Sequence, residues 1–174
     1  MAKGKTQYPV LKGFCRWAKL SPEKMDTNEF HFDKSGGRYT LDFYFGDNDQ
    51  LKKYFDSGAP VESMGNVMVK DVNHLKFGDG DPDLGIGSFR QFYKEHNANN
   101  PKYEGPPRVV DWRDGNRDPS NFWDFEAEPN IWNGSEVWVK YSIYNPGPQA
   151  SIRLVSVAVI ELAEASVIND DERF

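Results

Sequence analysis

Apolar and polar residues alternate along several segments of the chain, and a period of two is typical of β-strands with one buried face. The clearest alternation runs through residues 136–144. We expect its apolar set to face the core, namely Val137, Val139, Tyr141 and Ile143. The residues between them, Trp138, Lys140, Ser142 and Tyr144, must then face outward.

Other segments have strand character as well. They are residues 14–20, 38–45, 88–96, 108–113 and 151–162, with a weaker signal at 67–76. In 38–45 we expect one core face, formed by Tyr39, Leu41, Phe43 and Phe45, and an opposite polar face. In 88–96 the phase stays open, because Phe89 and Tyr93 compete with Phe92 for the interior. The strands number five to seven, which predicts a small Greek-key barrel or a sandwich.

One short helix interrupts this series. Asp47 or Asn48 can cap its first turn, Leu51, Tyr54 and Phe55 follow at three- and four-residue spacing, and Gly58 can end it. The connections at 77–87 and 97–107 are long and polar, so the fold is mostly β with one short helix and long loops.

Composition and charge exclude several classes of protein. The chain has 174 residues, enough for one compact domain, and 38% of them are hydrophobic. No apolar run approaches the roughly 20 residues of a membrane helix, and no apolar signal core follows the first residues. We therefore expect no membrane association and a place in the cytosol. The formal charge of −6 argues mildly against a wholly basic binder.

The motifs of enzymes and of metal sites are largely absent. There is no phosphate-binding Gly-rich loop, no His-Glu-x-x-His and no Gly-x-Ser-x-Gly, and His31, His74 and His96 lie far apart. We expect no catalysis and no cofactor. Asp79, Asp81 and Asp83 resemble the start of a calcium loop, but Leu84 and Arg90 stand where that loop needs Gly and Glu. A solvated loop is the simpler interpretation.

Two further features have ordinary explanations. Cys15 is the single cysteine of the sequence, so an internal disulfide is excluded. It is better explained as a small buried hydrophobic residue than as a nucleophile. Asn133-Gly134-Ser135 matches a glycosylation acceptor, but a tight turn explains it in a protein without an export signal.

Cations and aromatic rings interleave along the predicted strands. Rings can stack on the bases of single-stranded nucleic acid while Lys and Arg follow its backbone, and a duplex hides its base faces. The candidate binding residues are Lys12, Arg16, Trp17, Lys19, Arg38, Tyr44, Arg90, Phe92, Lys94, Trp112, Arg113, Trp138, Lys140, Tyr144 and Arg153. The alternative is that these rings fill a β core and these cations form a solvated face.

The last twelve residues, 163–174, differ from the rest. They are acidic and end on an aromatic ring. One interpretation is a frayed, solvated terminus. The other is a recognition peptide, in which a partner captures the ring and the terminal carboxylate together. Its residues would be Asp170, Asp171, Glu172 and Phe174.

The order of segments resembles that of the phage single-stranded DNA-binding proteins used in replication. The residues that carry the resemblance are Asn133-Gly-Ser-Glu-Val-Trp-Val-Lys-Tyr-Ser-Ile-Tyr144, then Ala150-Ser-Ile-Arg-Leu154 and Val159-Ile-Glu-Leu162. Trp17-Ala-Lys19, Arg38-Tyr-Thr-Leu-Asp42 and Gly105-Pro-Pro-Arg-Val-Val-Asp111 are similar too. The resemblance covers most of residues 10–165 and is looser before residue 100.

The resemblance implies an OB-fold, a five-stranded Greek-key barrel, in residues 1–162, followed by an acidic tail in 163–174. It implies a sequence-nonspecific protein that coats and protects single-stranded DNA in phage replication, recombination and repair, inside the bacterial host cytoplasm. The tail would recruit replication proteins such as a polymerase or a helicase/primase, and can compete with DNA for the cationic groove. Arg173 next to the last residue and the unmatched 78–85 loop depart from the family pattern.

Two other classes of protein stay open at this point. A β-sandwich that binds carbohydrate or protein as an accessory domain also displays Trp and Tyr, but it needs no cations beside them. A metal-dependent nuclease would use the clustered aspartates and degrade its substrate. Whether the chain forms a homodimer is also open.

Overall fold

The computed structural model describes residues 6–28, 36–45, 48–59, 64–68, 86–97, 102, 104–144 and 151–163. These residues contain eight strands and one helix. They are β1 (Thr6–Gln7), β2 (Val10–Lys19), β3 (Arg38–Phe45), α1 (Asn48–Asp56), β4 (Met64–Met68), β5 (Ile86–Glu95), β6 (Arg108–Asp111), β7 (Glu136–Tyr144) and β8 (Ser151–Glu161). No helix among the described residues has the length and hydropathy of a membrane-spanning segment.

All eight strands belong to one sheet. Its order is β4-β5-β3-β2-β7-β8-β6, and β1 pairs with β7. Neighbouring strands are antiparallel except for β6 and β8, which are parallel. The prediction of a mostly β fold with one helix is confirmed, although the sheet has more than five strands and is not closed.

The core lies on one face of this sheet. In β7 the predicted core face is confirmed, because Val137, Val139, Tyr141 and Ile143 are all fully buried. Ser142, expected outside, is instead 6% exposed, and the β7–β8 register is irregular just before it, between Lys140 and Tyr141. The ring of Tyr141 packs 5.1 Å from that of Phe92, centroid to centroid. Its hydroxyl lies 2.6 Å from Ser57 Oγ, and burial raises the pKa of Tyr141 to about 12.

Helix α1 closes one side of the core, as its spacing predicts. Tyr54 is buried against Phe45, whereas Phe55 is 43% exposed. Gly58 follows the helix with φ at +81°, a conformation in which glycine carries no steric penalty.

Strand β3 differs from its prediction. Thr40, Asp42 and Tyr44 are as buried as the core face, so the expectation of one exposed face is wrong. The reason is non-local. Strand β3 lies between β2 and β5, and Arg16 of β2 covers its outer face. The Arg16 guanidinium pairs with Asp42 at 3.2 Å and lies 5.2 Å from the Tyr44 ring.

Several predicted features lie outside the described residues. They are the cap at Asp47, the strand character at 69–76, His31, His74, the aspartate loop with Asp79, Asp81 and Asp83, and the tail with Asp170, Asp171, Glu172 and Phe174. The Asn133-Gly134 segment does form a turn, with φ at +90° for Gly134.

Candidate nucleic-acid interface

Four adjacent strands, β2, β7, β8 and β6, form a continuous surface on the face of the sheet opposite the core. Their register aligns two rows across the strands. One row is Val10, Lys140, Ser156 and Arg108, and the next is Lys12, Trp138, Ala158 and Val110. Small residues on β8 therefore lie between long side chains on β7 and β6. This difference in size produces a groove with β8 as its floor.

The first part of this surface is apolar and contains two indoles, and we call it the tryptophan groove. Its volume is about 320 Å³, and it is lined by Val10, Arg108, Val110, Trp112, Arg117, Pro119, Trp138, Lys140, Ser156 and Ala158. The rings of Trp112 and Trp138 lie 6.0 Å apart in an edge-to-face arrangement. Two cations contact Trp138: Lys12 Nζ and the Arg117 guanidinium each lie 4.5 Å from its ring centroid.

The loop after β6 positions one wall of the tryptophan groove. The backbone of Trp112 donates to the carbonyl of Val159 at 3.0 Å, which extends the β6–β8 pairing by one residue. The indole Nε1 donates to the carbonyl of Asp118 at 2.9 Å. Because this bond closes the loop, Arg117 is held above Trp138.

The second part of the surface is strongly cationic, and we call it the cationic basin. Its volume is about 450 Å³, and it is lined by Tyr8, Lys94, Lys102, Glu104, Pro106, Arg108, Phe122, Lys140, Arg153, Leu154, Val155 and Ser156. Five of these residues are cations and one is an acid. Two exposed rings, Tyr8 and Phe122, stand at its rim. Arg108, Lys140 and Ser156 line both cavities, so the two form one continuous surface.

Lys94 lies at the floor of the cationic basin. Its ammonium donates to the carbonyl of Gly105, and the residue is 8% exposed. Burial, with the nearby positive charge of Arg153, lowers the pKa of Lys94. The accumulation of positive charge at this point favours a negatively charged ligand.

The structure brings together six of the fifteen predicted binding residues. Trp112, Trp138 and Lys140 line the tryptophan groove, and Lys12 contacts Trp138. Lys94, Lys140 and Arg153 line the cationic basin. Tyr144 is 45% exposed at the end of β7, but it lines neither cavity.

Three predicted residues are buried and line neither cavity, so they need correction. Phe92 is 1% exposed and packs against Phe43 and Tyr54, so it belongs to the core. Tyr44 is 1% exposed beneath Arg16, and Arg90 is 5% exposed. None of the three offers a surface to a nucleic acid.

Two predicted arginines have carboxylate partners instead of a place in the groove. Arg113 bridges Asp111 at 2.7 Å and Glu128 at 2.9 Å, and its guanidinium lies 4.7 Å from the Trp123 ring centroid. The hydrogen bond to Arg113 lowers the pKa of Asp111. Arg38 pairs with Glu95 and stacks on Tyr93, so its charge is compensated as well.

Arg16, Trp17 and Lys19 form a cluster at the far end of β2, and they line neither cavity. Lys19 is exposed, and Trp17 is the most exposed of the predicted rings, at 57%. The Arg16 guanidinium lies 3.8 Å from the Trp17 ring centroid.

Sequence reasoning missed five cationic or aromatic residues of the surface: Tyr8, Lys102, Arg108, Arg117 and Phe122. Arg108 could have been found, because it precedes the buried pair Val109 and Val110 on a predicted strand. The other four lie in segments without periodicity, so no local signal indicated them. Within the part of the chain that the structure describes, no three His, Cys, Asp or Glu side chains group as metal ligands.

The described strands and helix define an OB-like β fold. No protein-family model and no curated protein sequence matches the chain. Among solved structures, it is similar to the C-terminally truncated single-stranded DNA-binding protein of bacteriophage Enc34. The two are 15% identical with a TM-score of 0.51 over 90% of this chain and 87% of that one. The same phage protein in complex with single-stranded DNA gives 17% identity and a TM-score of 0.49 over 91% and 89% of the two chains. At this identity the likeness concerns the fold.

Proposed function

We propose that this chain binds single-stranded DNA without sequence preference, along the tryptophan groove and the cationic basin. One observation carries the proposal. Two indoles stand beside cations on a continuous surface of an OB-like sheet, and Lys12, Arg108, Arg117 and Lys140 have no carboxylate partner among the described residues. A fold shared with a phage protein of that function is consistent with it.

The two parts of the surface have different roles in this proposal. In the tryptophan groove a base stacks on Trp138 and displaces Lys12 or Arg117, which then turns toward the phosphates. In the cationic basin the phosphates lie over Lys140, Arg108 and Arg153, and the rim rings add stacking. Because Arg108 and Lys140 line both parts, a strand can run from one to the other along β8.

This surface suits a single strand better than a duplex. Stacking on Trp138 needs an exposed base face, which a duplex does not offer. Stacking and backbone contacts also read no base edges, so binding should depend little on sequence.

The finer biological role is part of the same proposal. The protein would coat and protect single-stranded DNA in phage replication, recombination and repair, with residues 1–162 as the binding domain. The acidic tail, residues 163–174, would recruit a polymerase or a helicase/primase. No observation on the described residues favours a carbohydrate-binding accessory domain or a nuclease.

The proposal is tested with two variants, Trp138→Ala and Lys140→Ala, titrated with oligo-dT while tryptophan fluorescence or oligonucleotide anisotropy is followed. Because stacking is lost, Trp138→Ala should bind oligo-dT less tightly than the parent by about 1–3 kcal/mol at every salt concentration. Loss of one phosphate contact should reduce the slope of log K against log salt by about 0.7 for Lys140→Ala. Duplex DNA should compete poorly.

Phe55→Ala and Lys52→Ala serve as matched controls. They remove an exposed ring and an exposed cation from α1, outside both cavities. Both should bind like the parent. If Trp138→Ala and Lys140→Ala also bind like the parent, or if duplex binds equally well, the proposed surface is wrong. Degradation of the oligonucleotide with magnesium would indicate a nuclease instead.

A further inference from the structure

Trp17 combines two properties that rarely occur together. Its backbone lies in the left-handed region, with φ at +54°, where a bulky side chain is strained. Its ring is nevertheless 57% exposed, so no packing of the indole explains the conformation. Strain of this kind persists where neighbouring structure imposes it, and it concentrates at functional sites.

The surrounding structure holds Trp17 from two sides. The register between β2 and β3 is irregular between Arg16 and Lys19, so β2 bends there and turns Trp17 outward. From the other side, Asn133 Oδ1 accepts a hydrogen bond from the Trp17 backbone N–H at 2.8 Å. The turn that carries Asn133 is itself fixed to β2, since the Gly134 N–H donates to the Cys15 carbonyl at 2.8 Å.

The ring of Trp17 is presented with a cation beside it. The Arg16 guanidinium lies 3.8 Å from the ring centroid, and its pairing with Asp42 fixes its position. Lys19 is exposed two residues further on. This arrangement resembles that of Trp138 with Lys12 and Arg117, although Trp138 is half-buried.

Trp17 lies on a continuation of the same surface. Lys12 and Arg16 point to the same side of β2, because they are four residues apart on a strand, at a separation of roughly 13 Å. Phe14 lies between them, with Glu136 as its cross-strand partner. The acids Glu136 and Asp42 lie beside Phe14 and Arg16 on this part of β2. Stacking on Trp17 must therefore contribute more to DNA binding here than attraction of the phosphates.

From these observations we propose that Trp17 is a second stacking position for a base of the same DNA strand, reached across β2 from the tryptophan groove. The inference rests on the proposed function and deepens it. Binding would involve two separated indoles, and the length of DNA covered would depend on both. The strained backbone would then exist to present the ring.

The test compares Trp17→Ala, Trp17→Gly and Trp17→Phe on oligo-dT of two lengths, about 5 and about 16 nucleotides, the range that one OB fold covers. The short oligonucleotide can fill the tryptophan groove alone. We expect Trp17→Ala and Trp17→Gly to lower the affinity for the long oligonucleotide by about 5- to 100-fold. Both should leave the affinity for the short oligonucleotide unchanged. Trp17→Phe should retain most of the affinity for the long one.

A stability measurement guards against misfolding. Glycine accepts a positive φ, so Trp17→Gly should melt at the same temperature as the parent or above it while binding long DNA more weakly. Equal losses on both lengths, or no loss on either, would overturn the inference. So would unchanged DNA binding with an altered sedimentation coefficient, which would make Trp17 a protein contact. If the parent protein itself does not bind oligo-dT of either length, the proposed function fails, and with it this inference.

Discussion

At the scale of single residues, the position of a carboxylate decides which cations can reach a ligand. Arg113 and Arg117 belong to the same segment after β6, and both lie over an indole. Arg113 bridges Asp111 and Glu128, so its positive charge is compensated within the protein. Arg117 contacts Trp138 in the tryptophan groove and pairs with no carboxylate of the described residues. Only the second arginine is placed to neutralise a phosphate.

This contrast predicts opposite effects for Arg113→Ala and Arg117→Ala. Arg113→Ala should lower the free energy of unfolding by about 1 kcal/mol, a modest value because the pairs are partly exposed, and leave DNA affinity unchanged. Arg117→Ala should leave stability unchanged and reduce the salt slope of binding by about 0.7. Urea unfolding and oligo-dT titration at several salt concentrations measure both. Reversed effects would mean that the two arginines have been assigned the wrong roles.

At the scale of elements, the sequence predicts β7 well because its alternation is a local property. Burial of Val137 and of every second residue after it requires Trp138 and Lys140 to be outside, and this is how the tryptophan groove could be anticipated. The same reasoning fails for β3, whose outer face is covered by Arg16 from a neighbouring strand. Arg117 and Phe122 were beyond prediction, because irregular loops bring them to the surface.

Close packing of two strands also explains why position 13 is a glycine. Gly13 of β2 lies so close to β3 that a Cβ there would meet the carbonyl oxygen of Tyr44 at 2.0 Å and Phe43 Cζ at 2.7 Å. The backbone of β3 cannot yield without losing its pairing with β5. We infer that Gly13 sets the spacing between β2 and β3, and through it the position of Lys12 beside Trp138.

Gly13→Ala should therefore be strongly destabilising, by about 3 kcal/mol or more, since overpacking against backbone has no easy relaxation. Gly115→Ala is the matched control. Gly115 has φ at +83° and open space around its Cβ position, so its substitution should cost only about 1 kcal/mol of backbone strain. Denaturant unfolding compares the two. Similar losses for both would show that strand spacing is not constrained at Gly13.

At the scale of the whole molecule, charge is distributed unevenly. The chain carries a formal charge of −6, yet five cations and one acid line the cationic basin. A net negative protein can bind DNA in this way, because a basin concentrates the local field while distant charges are screened beyond about 10 Å at 0.1 M salt. If the basin binds DNA as proposed, we expect acidic segments elsewhere in the chain to compete for the same surface.

The tail provides the test of that competition. Residues 164–174 contain four acids and one base, so truncation after Ala163 changes the formal charge from −6 to −3. If the tail shields the cationic basin, the truncated chain should bind oligo-dT more tightly at low salt, with the difference disappearing as salt rises. It should also no longer capture a polymerase or helicase.

A full-length variant separates charge from chain length. Replacing Glu164, Asp170, Asp171 and Glu172 by their amides should tighten DNA binding as truncation does, because the shielding depends on charge. Phe174→Ala should instead leave DNA affinity unchanged and weaken partner capture, since the terminal ring would serve the partner. If all three variants bind DNA and partner like the parent, the tail is a passive end, and the proposed binding surface does not depend on it.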